Sequence, residues 1–233
     1  MIRTIPIVRK LLARNEHAAS ENRARFGALG VTCVNVLGGA GCGKTALLEA
    51  VLPRLTAERR VAVLEGDLAT TRDAERIAAL GVPTAQLLTD GGCHLTATHV
   101  QHALERVPLD ALDLLIIENV GNPICPANFD LGEHARLAVL SVAEGEDKPV
   151  KYPLLFKDAQ AVAISKCDLL PHLRYDLRRT LADIRRLCPD AAIFTTAAPS
   201  GAGVEPLAEW LRRLSAAASA PHNISRSPAT ASR

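Results

Sequence analysis

Aromatic residues are scarce in this chain, at 3%, with one Trp and one Met. No apolar run reaches the roughly 18 residues that a membrane-spanning helix needs, so neither a membrane span nor a membrane partner is expected. Charge of one sign is also lacking. Lys and Arg number 27 against 25 Asp and Glu, leaving a net +2, and no broad basic face for nucleic acid is offered. The N-terminal stretch has no apolar signal core, being interrupted by Arg3, Arg9, Lys10 and Arg14, and a cytoplasmic protein is expected. No internal repeat is visible. What is present is 233 residues, 48% of them hydrophobic, enough for one α/β domain with a sizeable core.

Apolar runs and amphipathic stretches alternate along the chain. Strands are expected at 31–37, 61–65, 112–118, 135–142, 159–165 and 191–195, and helices at 46–52, 73–80, 98–107, 173–187 and 204–214. Such alternation predicts a mostly parallel sheet with helices on both faces. Residues 8–26 read as an amphipathic helix, with Val8, Leu11, Leu12 and Phe26 apolar and Asn15, Glu16, Glu21, Asn22, Arg23 and Arg25 polar. Three segments follow: an N-terminal helix packed on the domain over 1–26, a P-loop domain over 27–215, and a tail over 216–233. The tail is rich in Ala, Ser, Pro and Arg and is expected to be disordered.

Residues Gly38-Gly39-Ala40-Gly41-Cys42-Gly43-Lys44-Thr45 form a G-x-x-x-x-G-K-T P-loop between an apolar strand and a helix. The glycines let successive backbone N–H groups turn inward around phosphate oxygens. Lys44 sets a cation on the outer phosphates, the Thr45 hydroxyl suits Mg²⁺, and the helix dipole faces the anion. Glu65-Gly66-Asp67 ends the next strand, where Asp67 can hold Mg²⁺ or cap the following helix. The strand ending Ile117-Glu118-Asn119 carries a carboxylate in the Walker B manner, so Glu118 joins Lys44 and Asp67 as a catalytic candidate. Gly121, without a side chain, can bring its N–H close to a γ-phosphate.

Ser165-Lys166-Cys167-Asp168 stands after a strand where G-proteins carry Asn-Lys-x-Asp. The Asp168 carboxylate suits the paired donors of guanine, which adenine lacks, and the Lys166 stem suits the face of the base. Ser165 in place of Asn is expected to lose a contact. Thr195-Thr196-Ala197-Ala198 offers a backbone N–H for the guanine oxygen. With no Gln or Arg evident to orient water, hydrolysis is expected to be slow.

Six cysteines in a cytosolic chain suggest thiols or ligands in place of disulfides. Cys33 and Cys188 read as packing residues. Cys93-His94 follows a Gly-Gly pair, and Cys125 lies between prolines just past Glu118. Two thiolates and an imidazole on loops suit Zn²⁺ or Ni²⁺. Adjacent side chains diverge, so Cys93 and His94 are expected to meet Cys125 only through a sharp turn, and a dimer is the expected way to complete the site. His99 and His102 lie nearby, with a solvated helix face as their simpler role.

The runs ENVGNPICPANFDLGE (118–133), LSVAEGEDKPVKYP (140–153), TDGGCHL (89–95) and GDLATTRDAER (66–76) resemble the HypB family of hydrogenase nickel-incorporation GTPases, over roughly residues 5 to 215. The resemblance implies a SIMIBI-class G-protein that dimerises with GTP, hydrolyses it slowly and delivers nickel to [NiFe]-hydrogenase. It places Lys44 and Thr45 on phosphate and Mg²⁺, Asp67 in switch I, Asp168 on guanine, and Cys93, His94 and Cys125 on metal at the dimer interface. The implied partners are a second copy, a nickel-chaperone protein and the hydrogenase large subunit. Four departures stand out. The chain begins Met1-Ile2-Arg3-Thr4 without a Cys-x-x-Cys-Gly-Cys motif. It has no histidine-rich tract. Ser165 replaces Asn, and Cys42 and Thr96 are unusual in their motifs. Competing readings are a urease-accessory-type nickel GTPase, which typically carries Cys-Pro-His, a plain regulatory GTPase with incidental cysteines, and a P-loop kinase.

Overall fold

The structure, a computed structural model, describes residues 7–67, 70–89 and 91–214. The expected tail over 216–233 and the Leu68, Ala69 and Asp90 positions of the quoted motifs lie outside the described residues. The elements run α1 Ile7–Leu29, β1 Thr32–Gly38, α2 Lys44–Thr56, β2 Val61–Asp67, α3 Arg72–Ala78, β3 Thr84–Leu88, α4 Ala97–Leu104, β4 Leu114–Glu118 and β5 Ala135–Ser141. They continue as α5 Lys148–Lys151, α6 Pro153–Lys157, β6 Ala161–Ser165, α7 Leu177–Leu187, β7 Ala192–Thr195 and α8 Val204–Arg213. No helix among the described residues is long and apolar enough to cross a membrane.

The seven strands form one sheet in the order β3-β2-β4-β1-β5-β6-β7, every neighbouring pair parallel. The expected parallel α/β architecture is therefore present, with helices on both faces. Parallel strands bury both faces, and β1, β4, β5 and β6 are buried throughout. One apolar cluster joins Val34, Val36, Val63 and Ile116 to Leu47, Leu48 and Val51 of α2 and Leu207 and Leu211 of α8. A second joins Cys33, Leu64, Leu115 and Ile117 to Phe26 of α1 and Val100 and Leu104 of α4. A third gathers Leu140, Phe156, Val162, Ile184 and Cys188. Cys33 and Cys188 are buried packing residues, as expected. The centre strand β1 carries the P-loop at its C-terminal edge, so every following loop on that edge converges on it.

The β3 strand was not expected. Its five residues, Thr-Ala-Gln-Leu-Leu, are half-buried at the sheet edge and show no alternation. α1 docks differently from its apolar pattern as well. Its inward face includes the amides of Asn15 and Asn22, which are 6% and 1% exposed, beside Ala18, Ala19 and Phe26. Asn15 Nδ2 donates to the Asp130 carbonyl at 2.7 Å and its Oδ1 accepts from the Ala97 N–H at 2.8 Å. Asn22 Nδ2 donates to the carbonyls of Ala97 and Leu131, each at 2.9 Å. Arg23 clasps the Asp130 carboxylate at 2.7 and 2.8 Å. α1 thus ties together the loop before β5 and the start of α4, the two segments that flank the cysteine loops.

A buried ion pair stiffens the same region. Arg136 Nε donates to Glu133 Oε1 at 2.6 Å, with side chains 2% and 0% exposed. The remaining guanidinium nitrogens donate to the carbonyls of Ala127 and Phe129, each at 3.0 Å. Removing one partner would strand the other's charge in the core, at a cost of about 3–5 kcal/mol. The chain from 127 to 136 is therefore pinned at both ends.

Candidate functional site

The P-loop is built by two left-handed glycines, Gly41 at φ 72° and Gly43 at φ 92°. Gly43 is also the N-cap of α2, so the helix N-terminus opens directly into the loop. Both angles are strained for any residue with a Cβ. Lys44 and Thr45, the first residues of α2, are each 7% exposed. The Thr45 hydroxyl donates to Glu118 Oε1 at 2.7 Å, so the helix start and the end of β4 meet as expected. The second Glu118 oxygen is buried without a partner.

One acid beside this pair escaped the sequence reading. Glu65 on β2 lies directly opposite Glu118 on β4 in the parallel register. It is 2% exposed and its Oε2 also lacks a partner. Burial, then the nearby Glu118, Asp67 and Asp73 carboxylates, push its pKa up to about 8. Burial pushes Glu118 up to about 7, against the lowering pull of Lys44. The orphaned Glu118 oxygen beside the P-loop Thr hydroxyl fits a hard divalent cation such as Mg²⁺, which takes oxygen ligands. Asp67 ends β2 on the same sheet edge, and its Oδ2 accepts from the Thr70 hydroxyl at 2.6 Å and the Thr70 N–H at 3.2 Å.

These raised values have a consequence for stability. The folded chain holds both protons well above the ordinary carboxylate value of 4.5. It therefore binds more protons than the unfolded chain between pH 4.5 and about 8, so this contribution is complete below 4.5 and lost as pH rises through 7 to 8. The melting temperature of the protein in EDTA is expected to fall across that window. A Glu65→Gln protein should show a shallower fall, and an identical pH profile would contradict the buried acid pair.

The Ser165–Asp168 loop docks on the P-loop. Ser165 Oγ donates to the Cys42 carbonyl at 2.5 Å, and Lys166 Nζ donates to the Gly41 carbonyl at 2.7 Å. The short Ser165 side chain thus tethers the loop to the P-loop backbone. Lys166 is the one described non-glycine residue with positive φ, at 58°, a strained conformation that aims its stem across the loop. Asp168 follows in a 3-10 turn with its side chain exposed. In the Thr195–Ala198 run the Thr196 and Ala197 N–H groups are bonded to the Ile164 and Ala202 carbonyls. Ala198 is left as the donor candidate for a guanine oxygen. Cys42 is buried, and desolvation pushes its thiol up to about 11, so it is an inert packing thiol.

Gly121 touches the P-loop from the other side. A Cβ there would lie 2.9 Å from the Ala40 Cα, so only glycine permits this approach. The chain then turns at Asn122, whose Oδ1 accepts from the N–H groups of Ile124 at 2.9 Å and Cys125 at 3.3 Å.

Cys93, His94 and Cys125 come together within one chain. One ligand atom from each lies within 4.8 Å of the others. The sharp turn that Cys93 and His94 need in order to meet Cys125 is present within one chain. Gly91 takes φ 89°, the Gly92 N–H bonds the Thr89 carbonyl at 2.9 Å, and the Thr89 hydroxyl bonds the Gly92 carbonyl at 2.5 Å. Cys93 Sγ then lies 3.5 Å from His94 Nδ1. The His94 ring stacks on Phe129, with centroids 3.9 Å apart. Hydrogen bonding to Cys125, then burial, push the Cys93 thiol up, and burial, then His99, lower the His94 pKa. A neutral imidazole is the ligand form, and a metal displaces the thiol protons. His99 has another task. Its Nδ1 accepts from the Thr96 N–H at 3.2 Å while the Thr96 hydroxyl oxygen accepts from the His99 N–H at 3.3 Å, closing a capping box on α4.

The chain is similar in sequence and fold to known proteins. The family described as CobW/HypB/UreG, nucleotide-binding domain, matches residues 32–195. The hydrogenase maturation factor HypB of Azotobacter vinelandii is 47% identical over 213 residues, covering 91% of this chain and 70% of the relative. The crystal structure of HypB from Helicobacter pylori in complex with nickel superposes with a TM-score of 0.81 at 35% identity, over 85% of this chain and 93% of that one. The structure of the hydrogenase maturation factor HypB from Archaeoglobus fulgidus gives 0.81 at 36% identity, over 86% and 98%.

Proposed function

The chain belongs to the CobW/HypB/UreG family and, within it, to the HypB hydrogenase maturation factors, and from that premise we propose that it is a GTP-hydrolysing nickel metallochaperone of the cytoplasm. The observation that carries the reading is the Cys93–His94–Cys125 cluster, whose Cys125 stands four residues past Gly121, which packs on the P-loop. Nickel is the cargo. GTP is the substrate, and its phosphates occupy the loop from Gly38 to Thr45. Lys44 neutralises the outer phosphates, and the α2 N-terminus adds its dipole. Thr45, Glu118 and Asp67 would hold Mg²⁺, which offsets phosphate charge when bound. Lys166 and Asp168 hold the base, and Asp168 accepts from the guanine edge.

Three protein ligands leave a four-coordinate ion with an open position. A second copy of the chain meeting at this face fills it, and GTP assembles that homodimer. Hydrolysis loosens the contact at Gly121, shifts Cys125 and releases nickel toward a nickel-chaperone partner and the hydrogenase large subunit. The test of the nucleotide half is Asp168→Asn. The amide presents a donor where guanine also donates and xanthine accepts. GTP affinity is expected to fall at least about ten-fold and xanthosine triphosphate affinity to rise, consistent with one lost charged hydrogen bond. Unchanged GTP binding in a fluorescence titration would remove Asp168 from the base, and equal ATP and GTP binding by the parent would favour a kinase instead.

A further inference from the structure

Glu65 has no part in the site as so far drawn, yet its environment is that of a functional group. It sits at the end of β2, in register with Glu118, and both side chains point to the α2 face, because Val61, Val63, Leu114 and Ile116 at the alternate positions pack in the cluster with α2. Neighbouring strands lie about 4.8 Å apart, so the two carboxyl groups are close neighbours. Each is 2% exposed and each keeps one oxygen without a partner. The charges that bear on Glu65 are all acidic, those of Glu118, Asp67 and Asp73, and its one favourable contact is the Gln86 amide. The cations of the region serve elsewhere: Lys44 acts on Glu118, and Arg76 is engaged by Glu49 at 2.6 and 2.9 Å and by Asp73 at 2.8 Å. A buried acid with an orphaned oxygen, surrounded by acids, is a cost to the fold unless a cation arrives.

We propose that Glu65 is a positioning residue for the divalent cation at the phosphate end of the site, acting through Glu118 and the water of the cation's shell. Thr45, Glu118, Asp67 and phosphate oxygens supply the direct ligands of the proposed site. Glu65 stands beside Glu118 across the strand register and, with a cation bound, adds its negative charge to the potential that keeps the cation there. Outer partners of this kind typically change metal affinity about 10- to 100-fold when removed. The inference rests on the nucleotide reading above, and the experiment separates the two.

The measurement is the release rate of a fluorescent GDP analogue from the full chain as a function of Mg²⁺ concentration, for the parent and for Glu65→Gln. Gln keeps the shape and removes the charge. The half-effective Mg²⁺ concentration is expected to rise about ten-fold, with nucleotide affinity in EDTA unchanged. Above about pH 8 the melting temperature in EDTA should rise, since a buried charge has been removed there. A merely structural Glu65 would move the melting temperature and leave the Mg²⁺ response where it was, and that result would overturn the proposal. If Glu65→Gln melts lower than the parent, Glu65→Asp serves as the second variant. It retains the charge, and its Mg²⁺ response should stay within about three-fold of the parent, well inside the range for a lost outer partner. A full ten-fold loss with Asp would also overturn the charge argument. If the parent itself binds no guanine nucleotide, the failure lies with the proposed function.

Discussion

Lys44→Ala is expected to lower GTP hydrolysis by about 100-fold or more, the usual loss when one preorganised charge-stabilising donor is removed. Two effects combine. The first is the lost cation on the outer phosphates, from a side chain that the fold already holds 7% exposed at the first position of α2. The second acts through Glu118. Lys44 is the leading influence that lowers the Glu118 pKa against burial. Without it the carboxyl stays protonated at neutral pH and is a poorer cation ligand. The Mg²⁺ dependence should therefore worsen along with the chemistry, and raising the pH should recover part of the Mg²⁺ response but none of the phosphate contact. Phosphate release at several pH values and fluorescent nucleotide titration read both effects. Hydrolysis at the parent rate in a folded Lys44→Ala protein would remove the P-loop assignment.

How the site could be read from sequence follows from how local its parts are. The P-loop is contiguous, so its glycines, Lys44 and Thr45 announce themselves between an apolar strand and a helix. Glu118 was legible because it ends a continuous apolar run. Glu65 was not, although it stands two residues before Asp67. Its meaning comes from the register that sets β2 beside β4, and parallel register is not written in either strand. Ser165 was read as a loss because Asn is longer. The tether it makes depends on how closely β6 brings it to the Cys42 carbonyl. Asn15 and Asn22 broke the apolar stripe of α1 and looked solvated. They are buried because the backbone groups of Ala97, Asp130 and Leu131 need partners there. The β3 strand was missed for a different reason: a short edge strand, half-buried, carries no period to detect.

Cys93→Ser and Cys125→Ser are each expected to weaken Ni²⁺ binding by two to three orders of magnitude. A closed four-ligand site of comparable chemistry is worth about 10–16 kcal/mol, or about 2.5–4 kcal/mol per ligand. The doubly substituted chain should bind no stoichiometric nickel. GTP affinity measured without metal should stay at the parent value, because the hydrogen bonds of the Cys93 thiol run to His94 and Cys125. The coupling is the sharper test. Gly121 meets Ala40 at a distance that no Cβ tolerates, and Asn122 fixes the backbone of Cys125 just beyond. A γ-phosphate that draws Gly121 inward must therefore move one metal ligand, while Cys93 and His94 are held by their own glycine turn and by Phe129. Nickel affinity should differ between GDP and a non-hydrolysable GTP analogue by about 5- to 150-fold, the usual span of coupling between linked sites. By linkage, nickel must shift affinity for the analogue relative to GDP by the same factor. Gly121→Ala, whose Cβ would lie 2.9 Å from the Ala40 Cα, should force this segment off the P-loop and reduce that factor toward one. Equal nickel affinities with both nucleotides in the parent chain would mean that the cluster and the P-loop, though joined by four residues, act independently.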